Sequence, residues 1–294
     1  IMKAEYITIL VLCLISQIGS LANLKYDTIH INAEHVKVCP LEDGRLLVLS
    51  SLLGYQKARF SFIDKNARII REKKALELDE GYTAGAELVQ TTSDDETEYH
   101  LIRHNKQDLS EHESKEYITS FKDGANGKRN HKIKNSLFTQ TSVVSLKNGT
   151  LIIAGINHKA SFGAETSVEV NIYDPKTDTY GNGKTIVAHS SYISCYEQRD
   201  NEVYCVYVSY EDIFLSKLNI RRLIINDNTI ELGEPQNIIK VFYTEFNFIK
   251  AVKFNENEAL VLFQTGNGNS EIEFGNTGKD LYYYHIEVKP TESY

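Results

Sequence analysis

Three glutamates are the residues of this chain best placed for acid–base chemistry. Glu34, Glu87 and Glu245 each lie on or just before a strand-like segment, at comparable points of a repeating pattern. Two carboxyl groups held about 5 to 9.5 Å apart can cleave a glycosidic bond, one donating a proton while the other acts as base or nucleophile. The alternative is ordinary rim charge, since 40 Asp and Glu against 32 Lys and Arg leave the chain at −8. A second cluster is cationic: Lys122, Lys128, Arg129, Lys132 and Lys134 fall within 13 residues rich in Gly and Asn. It is expected to project from the body of the protein, either as a docking site for an acidic glycan or partner or as a solvated connection. His100 and His104 would share a face of a strand, with Glu111, His112 and Glu113 behind them. A spacing of four on a strand holds two imidazoles too far apart for one zinc ion, so they read as solvated histidines and no metal site is expected. Asp227-Asn228-Thr229 and Asn267 to Ser270 lack the acidic spacing of a calcium loop and read as turns.

The compartment is legible at the N-terminus. Met2-Lys3 precedes an apolar run from Ile7 to Ile18 that ends in Gly19-Ser20-Leu21-Ala22, the layout of a secretory signal peptide cut after Ala22. The run is short for a stable membrane-spanning helix; an uncleaved signal anchor and a buried amphipathic helix are the alternatives. Residues 1–22 are therefore expected to be an address, residues 23–294 the mature domain, and the product secreted or held at the cell surface, meeting a membrane only through signal insertion. Cysteine usage fits an oxidising compartment. A hairpin folded symmetrically about Asp200 sets Cys195 directly opposite Cys205, so a disulfide is expected there, with two facing buried thiols as the alternative. Cys39 is left over. Asn148-Gly149-Thr150 is the one Asn-x-Ser/Thr sequon after the signal, so Asn148 is a candidate glycosylation acceptor in a secreted chain, and Asn-Gly is also a strong two-residue hairpin signal. The negative net charge argues against nucleic acid as a partner.

The elements that must position these residues are strands. Pro is scarce at 4 and Trp absent, while 18 Tyr and many β-branched residues favour sheet. Strand–turn–strand units recur with centres at Asp43, Asp95, Asn148, Asp200 and Glu256, that is every 52, 53, 52 and 56 residues. Further strand pairs follow several of these hairpins, as in Arg59 to Ile70, Ser167 to Tyr180 and Leu215 to Leu232. Four antiparallel strands in roughly 50 residues is the content of one propeller blade. Runs such as Leu46 to Leu49 and Leu151 to Ala154 break the alternation and should be buried on both faces, between neighbouring blades. The expected fold is all-β, a β-propeller of about five four-stranded blades at roughly 36–80, 86–135, 138–188, 190–240 and 245–294. The strand-like segment Tyr26 to Asn32 is expected to pair beside Tyr282 to Val288 and close the ring; continuation into a larger propeller is the alternative.

One stretch resembles a known family. Leu146 to Gly155 is similar to the strand–turn–strand–Gly opening of a kelch or galactose-oxidase type blade, and Val170 to Tyr180 to its later Tyr-Asp-Pro turn, so residues 141–180 look like such a blade. Leu41 to Val48 echoes the first half. Only Gly155 stands where those blades carry paired glycines, and Tyr180 stands where they carry Trp. The resemblance implies fold rather than chemistry. The Cys, Tyr and His set of the copper oxidases in that family cannot be placed here, and no cofactor is expected. Nor can the sialidase box Ser-x-Asp-x-Gly-x-Thr-Trp be built without Trp. The leading expectation is a non-enzymatic propeller that binds an extracellular protein or glycan, or self-assembles, through loops on one rim. The alternative is a glycan-active hydrolase using carboxylates in the central funnel.

Overall fold

Alternation and β-branched content resolve, in the computed structural model, into strands, with no helix among the described residues. The structure describes residues 35–41, 43–51, 57–64, 69–77, 87–93, 96–105, 115–122, 129–133, 138–158, 166–181, 183–210, 215–242, 246–265 and 281–288. They form five antiparallel sheets in chain order. The first is β1 (His35–Pro40), β2 (Leu46–Ser51), β3 (Lys57–Ile63) and β4 (Ile69–Glu77). The second is β5 (Glu87–Ser93), β6 (Glu96–Asn105), β7 (Lys115–Lys122) and β8 (Arg129–Ile133). In the third, β9 (Phe138–Ser145) and β10 (Leu151–His158) lead to β11 (Thr166–Asp174), whose outer edge carries both β12 (Thr179–Tyr180) and β13 (Lys184–Ala188). The fourth repeats that plan: β14 (Ser190–Arg199), β15 (Glu202–Tyr210), β16 (Leu215–Asn226), and then β17 (Thr229–Leu232) and β18 (Gln236–Phe242) sharing one edge. The fifth holds β19 (Phe246–Asn255), β20 (Glu258–Thr265) and β21 (Leu281–Glu287).

The first strands of successive sheets lie side by side, β1 by β5, β5 by β9, β9 by β14 and β14 by β19, which is the inner wall of a propeller. Serine hydroxyls staple that wall. Ser142 Oγ accepts the N–H of Cys195 at 2.8 Å, and Ser194 Oγ accepts that of Ala251 at 2.9 Å. The hairpin turns explain the repeat seen in the sequence. Gly44, Gly149 and Asn201 occupy the left-handed region at φ 80, 87 and 59°, where glycine and asparagine are tolerated best. Gly44 N–H bonds Leu41 O at 3.0 Å and Gly149 N–H bonds Leu146 O at 2.9 Å, the same turn built twice. The outer strands of the third and fourth sheets break at Gly181 and Gly233, whose N–H groups reach Ile172 O and Arg222 O at 2.7 and 2.9 Å. A Cβ on Gly233 would stand 3.3 Å from Arg222 O, a tight contact that the bare backbone avoids.

Burial between sheets accounts for the unbroken apolar runs. Leu151 and Ile153 pack toward the second sheet with Ile102, Ile118 and Tyr173, while Ile152 and Ala154 pack toward the fourth with Cys195 and Cys205. Phe60, Phe62, Tyr99 and Phe121 fill the seam between the first two sheets, their rings 5.6 to 6.0 Å apart. Val206, Val208, Val261 and Phe263 fill that between the last two. Cys195 and Cys205 face one another across β14 and β15 and are disulfide-bonded, and Cys39 is buried, its Sγ donating to Pro40 O at 3.5 Å. The Tyr173-Asp174-Pro175 turn is built by Asp174, which accepts from Lys176 N at 2.9 Å and Thr177 Oγ1 at 2.7 Å. The propeller resemblance holds at the level of the fold; nothing in these sheets singles out the kelch type. The segment Tyr26 to Asn32 and the leader at 1–22 lie outside the described residues. Among the described residues no buried cluster joins the fifth sheet to the first.

Candidate functional site

The row of inner strands has two chemically different ends. At one end the inner strands begin, and there Lys37 of β1 meets Glu87, the first residue of β5, with Nζ 3.4 Å from Oε1. At the other end lie the hairpin turns, tied sheet to sheet: Lys147 pairs with Asp200, Arg199 Nη2 donates to Glu256 O at 3.0 Å, and Gln198 Nε2 donates to Asn255 O at 2.7 Å. The strand-start end is where a funnel would collect the carboxylates.

Of the three glutamates singled out by sequence, Glu87 is the described one. Its side chain is 24% exposed, so it is reachable while paired to Lys37. Glu34 and Glu245 lie outside the described residues, each one residue before an inner strand, β1 and β19. Sequence reasoning missed two other groups at this end. His189 joins the outer strand of the third sheet to the inner strand of the fourth with a left-handed backbone at φ 54°, held by bonds from its N–H to Thr166 O and from Tyr210 N–H to its carbonyl. Beside it the Tyr210 hydroxyl donates to Ser191 Oγ at 2.6 Å with the ring 36% exposed. A non-glycine, non-Asx residue in that conformation leaves no mark in a periodicity analysis.

The cationic segment differs from the expected projecting loop. Lys122 ends β7 and Arg129, with Lys132, belongs to β8, because both strands continue the ladder of the second sheet. Lys122 Nζ is 2.5 Å from Glu96 Oε2, and Arg129 holds both oxygens of Glu98 at 2.8 and 2.7 Å. The Glu98 bond raises the Arg129 pKa further above its ordinary value, and Arg129 Nη1 also reaches Pro175 O at 3.4 Å. Lys122 and Arg129 are thus partnered, at the turn end and away from Glu87. Lys128 and Lys134 lie outside the described residues.

His100 also overturns its expected place. It is fully buried, with Nε2 2.7 Å from Thr91 Oγ1 and Nδ1 2.8 Å from Ser120 Oγ. Burial, with Arg129 nearby as the lesser cause, pushes its pKa down to about 3, so the ring is neutral. Glu98 Oε2 is 3.9 Å from Nε2 but is committed to Arg129. His104 lies on β6, and Glu111, His112 and Glu113 fall outside the described residues, among which no group of three His, Cys, Asp or Glu could hold a metal ion. Asn148 sits exposed on the β9–β10 turn. Asp227 heads the β16–β17 turn at φ 48°, while Asn267 to Ser270 are not described.

No family model and no curated protein matches the chain. Among solved structures it is similar to a xylan β-1,4-xylosidase from Bacillus halodurans C-125, at TM-score 0.47 and 10% identity, covering 87% of this chain and 53% of that one. A thermostable family-43 glycoside hydrolase gives 0.43 and 11% identity, covering 87% of this chain and 93% of the other. A variant of Synechocystis apocarotenoid oxygenase gives 0.47 and 10%, over 79% of this chain and 56% of that one. The chain thus spans about half the length of the xylosidase and the oxygenase. At these identities and scores the similarity bears on neither substrate nor chemistry.

Proposed function

We propose that this chain acts on a glycan at the strand-start end of the ring, with Glu34, Glu87 and Glu245 as its working carboxylates. One positional observation carries the reading: Glu87 opens β5, while β1 and β19 begin at His35 and Phe246, each directly after one of the other two. The chain therefore assigns all three to the start of an inner strand, in the first, second and fifth sheets, which are consecutive once the ring is closed. Glycosidic cleavage needs one carboxyl group as acid and a second as base or nucleophile on opposite sides of the sugar. Lys37 pairs with Glu87 at this end, and Glu34 and Glu245 would supply the further carboxyl group that the chemistry requires. Secretion through residues 1–22 would put such an enzyme where extracellular glycans are.

A second reading, a non-enzymatic module binding an extracellular protein or glycan, is favoured by the same ion pair. Lys37 already answers the charge of Glu87, and an ion pair that is 33% and 24% exposed is a recognition surface as it stands. The two readings part on turnover. The purified protein is incubated with aryl pentosides, aryl hexosides and a panel of plant and animal polysaccharides, following release of aglycone or reducing ends. Release that falls roughly 10²-fold or more in Glu87→Gln supports catalysis. Saturable binding without release, weakened by Glu87→Gln, supports the module; neither behaviour refutes both.

A further inference from the structure

The tip of the β9–β10 hairpin has the chemistry of an acceptor rather than of a contact. Asn148 is exposed and its Oδ1 accepts the backbone N–H of Thr150 at 2.9 Å. That bond uses the carbonyl half of the carboxamide and fixes its plane, so Nδ2 points away from the turn. Among the described residues neither Nδ2 of Asn148 nor the Thr150 hydroxyl has a hydrogen-bond partner, although the equivalent turn elsewhere ties its Asx residue down. At the first hairpin Asp43 accepts Arg45 N–H at 3.0 Å and also holds Arg45 Nε at 2.6 Å. Gly149 takes the left-handed conformation at φ 87°, which turns the chain within three residues and sets the Asn and Thr side chains at the apex. The neighbouring ion pair of Lys147 and Asp200 is itself 74% and 67% exposed, so no wall stands over the tip.

We infer that Asn148 is an N-glycosylation site. The co-reactant is a polyprenyl diphosphate-linked oligosaccharide. Nδ2 forms a bond to C1 of the first sugar, the bond from C1 to the diphosphate oxygen breaks, the polyprenyl diphosphate leaves, and one amide proton passes to solvent. Position gives the modification a consequence. The β9–β10 turn is at the opposite end of the ring from Glu87, since β9 runs from Phe138 at the strand-start end to Ser145 at the turn end. A glycan there shields the turn face and leaves the funnel mouth open, so it is compatible with either reading of that mouth.

The full chain is expressed in cultured insect cells behind an added secretory leader, so that entry to the pathway does not depend on residues 1–22. The secreted protein should be heavier by one N-glycan and, on endoglycosidase treatment, lose all of that added mass but the single sugar left on Nδ2. Thr150→Ala should abolish the added mass and Thr150→Ser should keep it. Both leave the backbone N–H that Asn148 Oδ1 accepts, so a lost glycan cannot be put down to a lost turn. Asn148→Gln gives the same loss from the acceptor side. Secreted wild-type protein at its unmodified mass overturns the inference, as does a glycan that survives Thr150→Ala. Should no protein be secreted, translation with added microsomes decides: a protease-protected chain without the mass shift overturns it, and one carrying the shift upholds it.

Discussion

Acidification should destabilise this protein through His100. The imidazole is closed in by the second sheet, hydrogen-bonded on both nitrogens by the hydroxyls of Thr91 and Ser120, and its pKa lies at about 3 against 6.5 when unfolded. The unfolded chain therefore binds a proton that the folded one does not between those two values, so the stability contributed by the neutral ring is complete above pH 6.5 and is lost as pH falls toward 3. At about 1.36 kcal/mol per pH unit the loss between pH 7.5 and pH 4 is roughly 3 kcal/mol, a large fraction of a typical domain's stability. His100→Gln keeps a donor and an acceptor near Thr91 and Ser120 but removes the titration. Urea unfolding followed by far-ultraviolet circular dichroism, the chain having no Trp, should show wild type falling faster than the variant across that range. The two curves should converge near pH 4 even though the variant is weaker at pH 7.5. Parallel curves would refute the reasoning, because then the ring is either solvated or already protonated in the folded protein.

Three further outcomes follow from the seams between sheets. Reducing the Cys195–Cys205 bond, or Cys195→Ser with Cys205→Ser, should cost roughly 2.5 kcal/mol by the loop-entropy relation for a separation of 10 residues, read as a drop in Tm that reductant does not produce in the double variant. Ser142→Ala and Ser194→Ala should each cost roughly 1 to 3 kcal/mol in urea titrations by leaving the buried N–H of Cys195 or Ala251 without its acceptor. Arg199 reaches Glu202 Oε2, Glu256 O and Val288 O at 3.3, 3.0 and 3.2 Å; Arg199→Ala should cost roughly 2 to 4 kcal/mol, with faster hydrogen exchange confined to the β19–β20 turn and Val288.

The repeat was legible because a short polar turn separates two apolar strands in each unit, and in the first, third and fourth sheets that turn holds a residue that tolerates positive φ, Gly44, Gly149 and Asn201. Symmetry about Asp200 located the disulfide because register in a tight hairpin follows from the turn. The burial of His100 was not legible. Its partners come from β5 and β7, 9 and 20 residues away, and a lone histidine in an alternating segment looks the same whether its neighbours are hydroxyls or water. The cationic segment misled for a related reason. Glu98 stands opposite Lys122 across β6 and β7, and Glu96 and Glu98 neutralise Lys122 and Arg129 through that register, which a charge count along the chain does not contain. Glu34, Glu87 and Glu245 were found by their place in the repeat, whereas His189 and Tyr210 answer to backbone conformation and not to spacing.

The most direct test of glycan chemistry at the strand-start end is the rate of glycosidic bond cleavage by wild type and by Glu34→Gln, Glu87→Gln and Glu245→Gln, each checked for unchanged circular dichroism. A glycan released by wild type and lost roughly 10²-fold or more in at least two of the three variants is the expected result. Turnover that survives all three substitutions, or a wild-type protein that releases nothing from any glycan it binds, would contradict it.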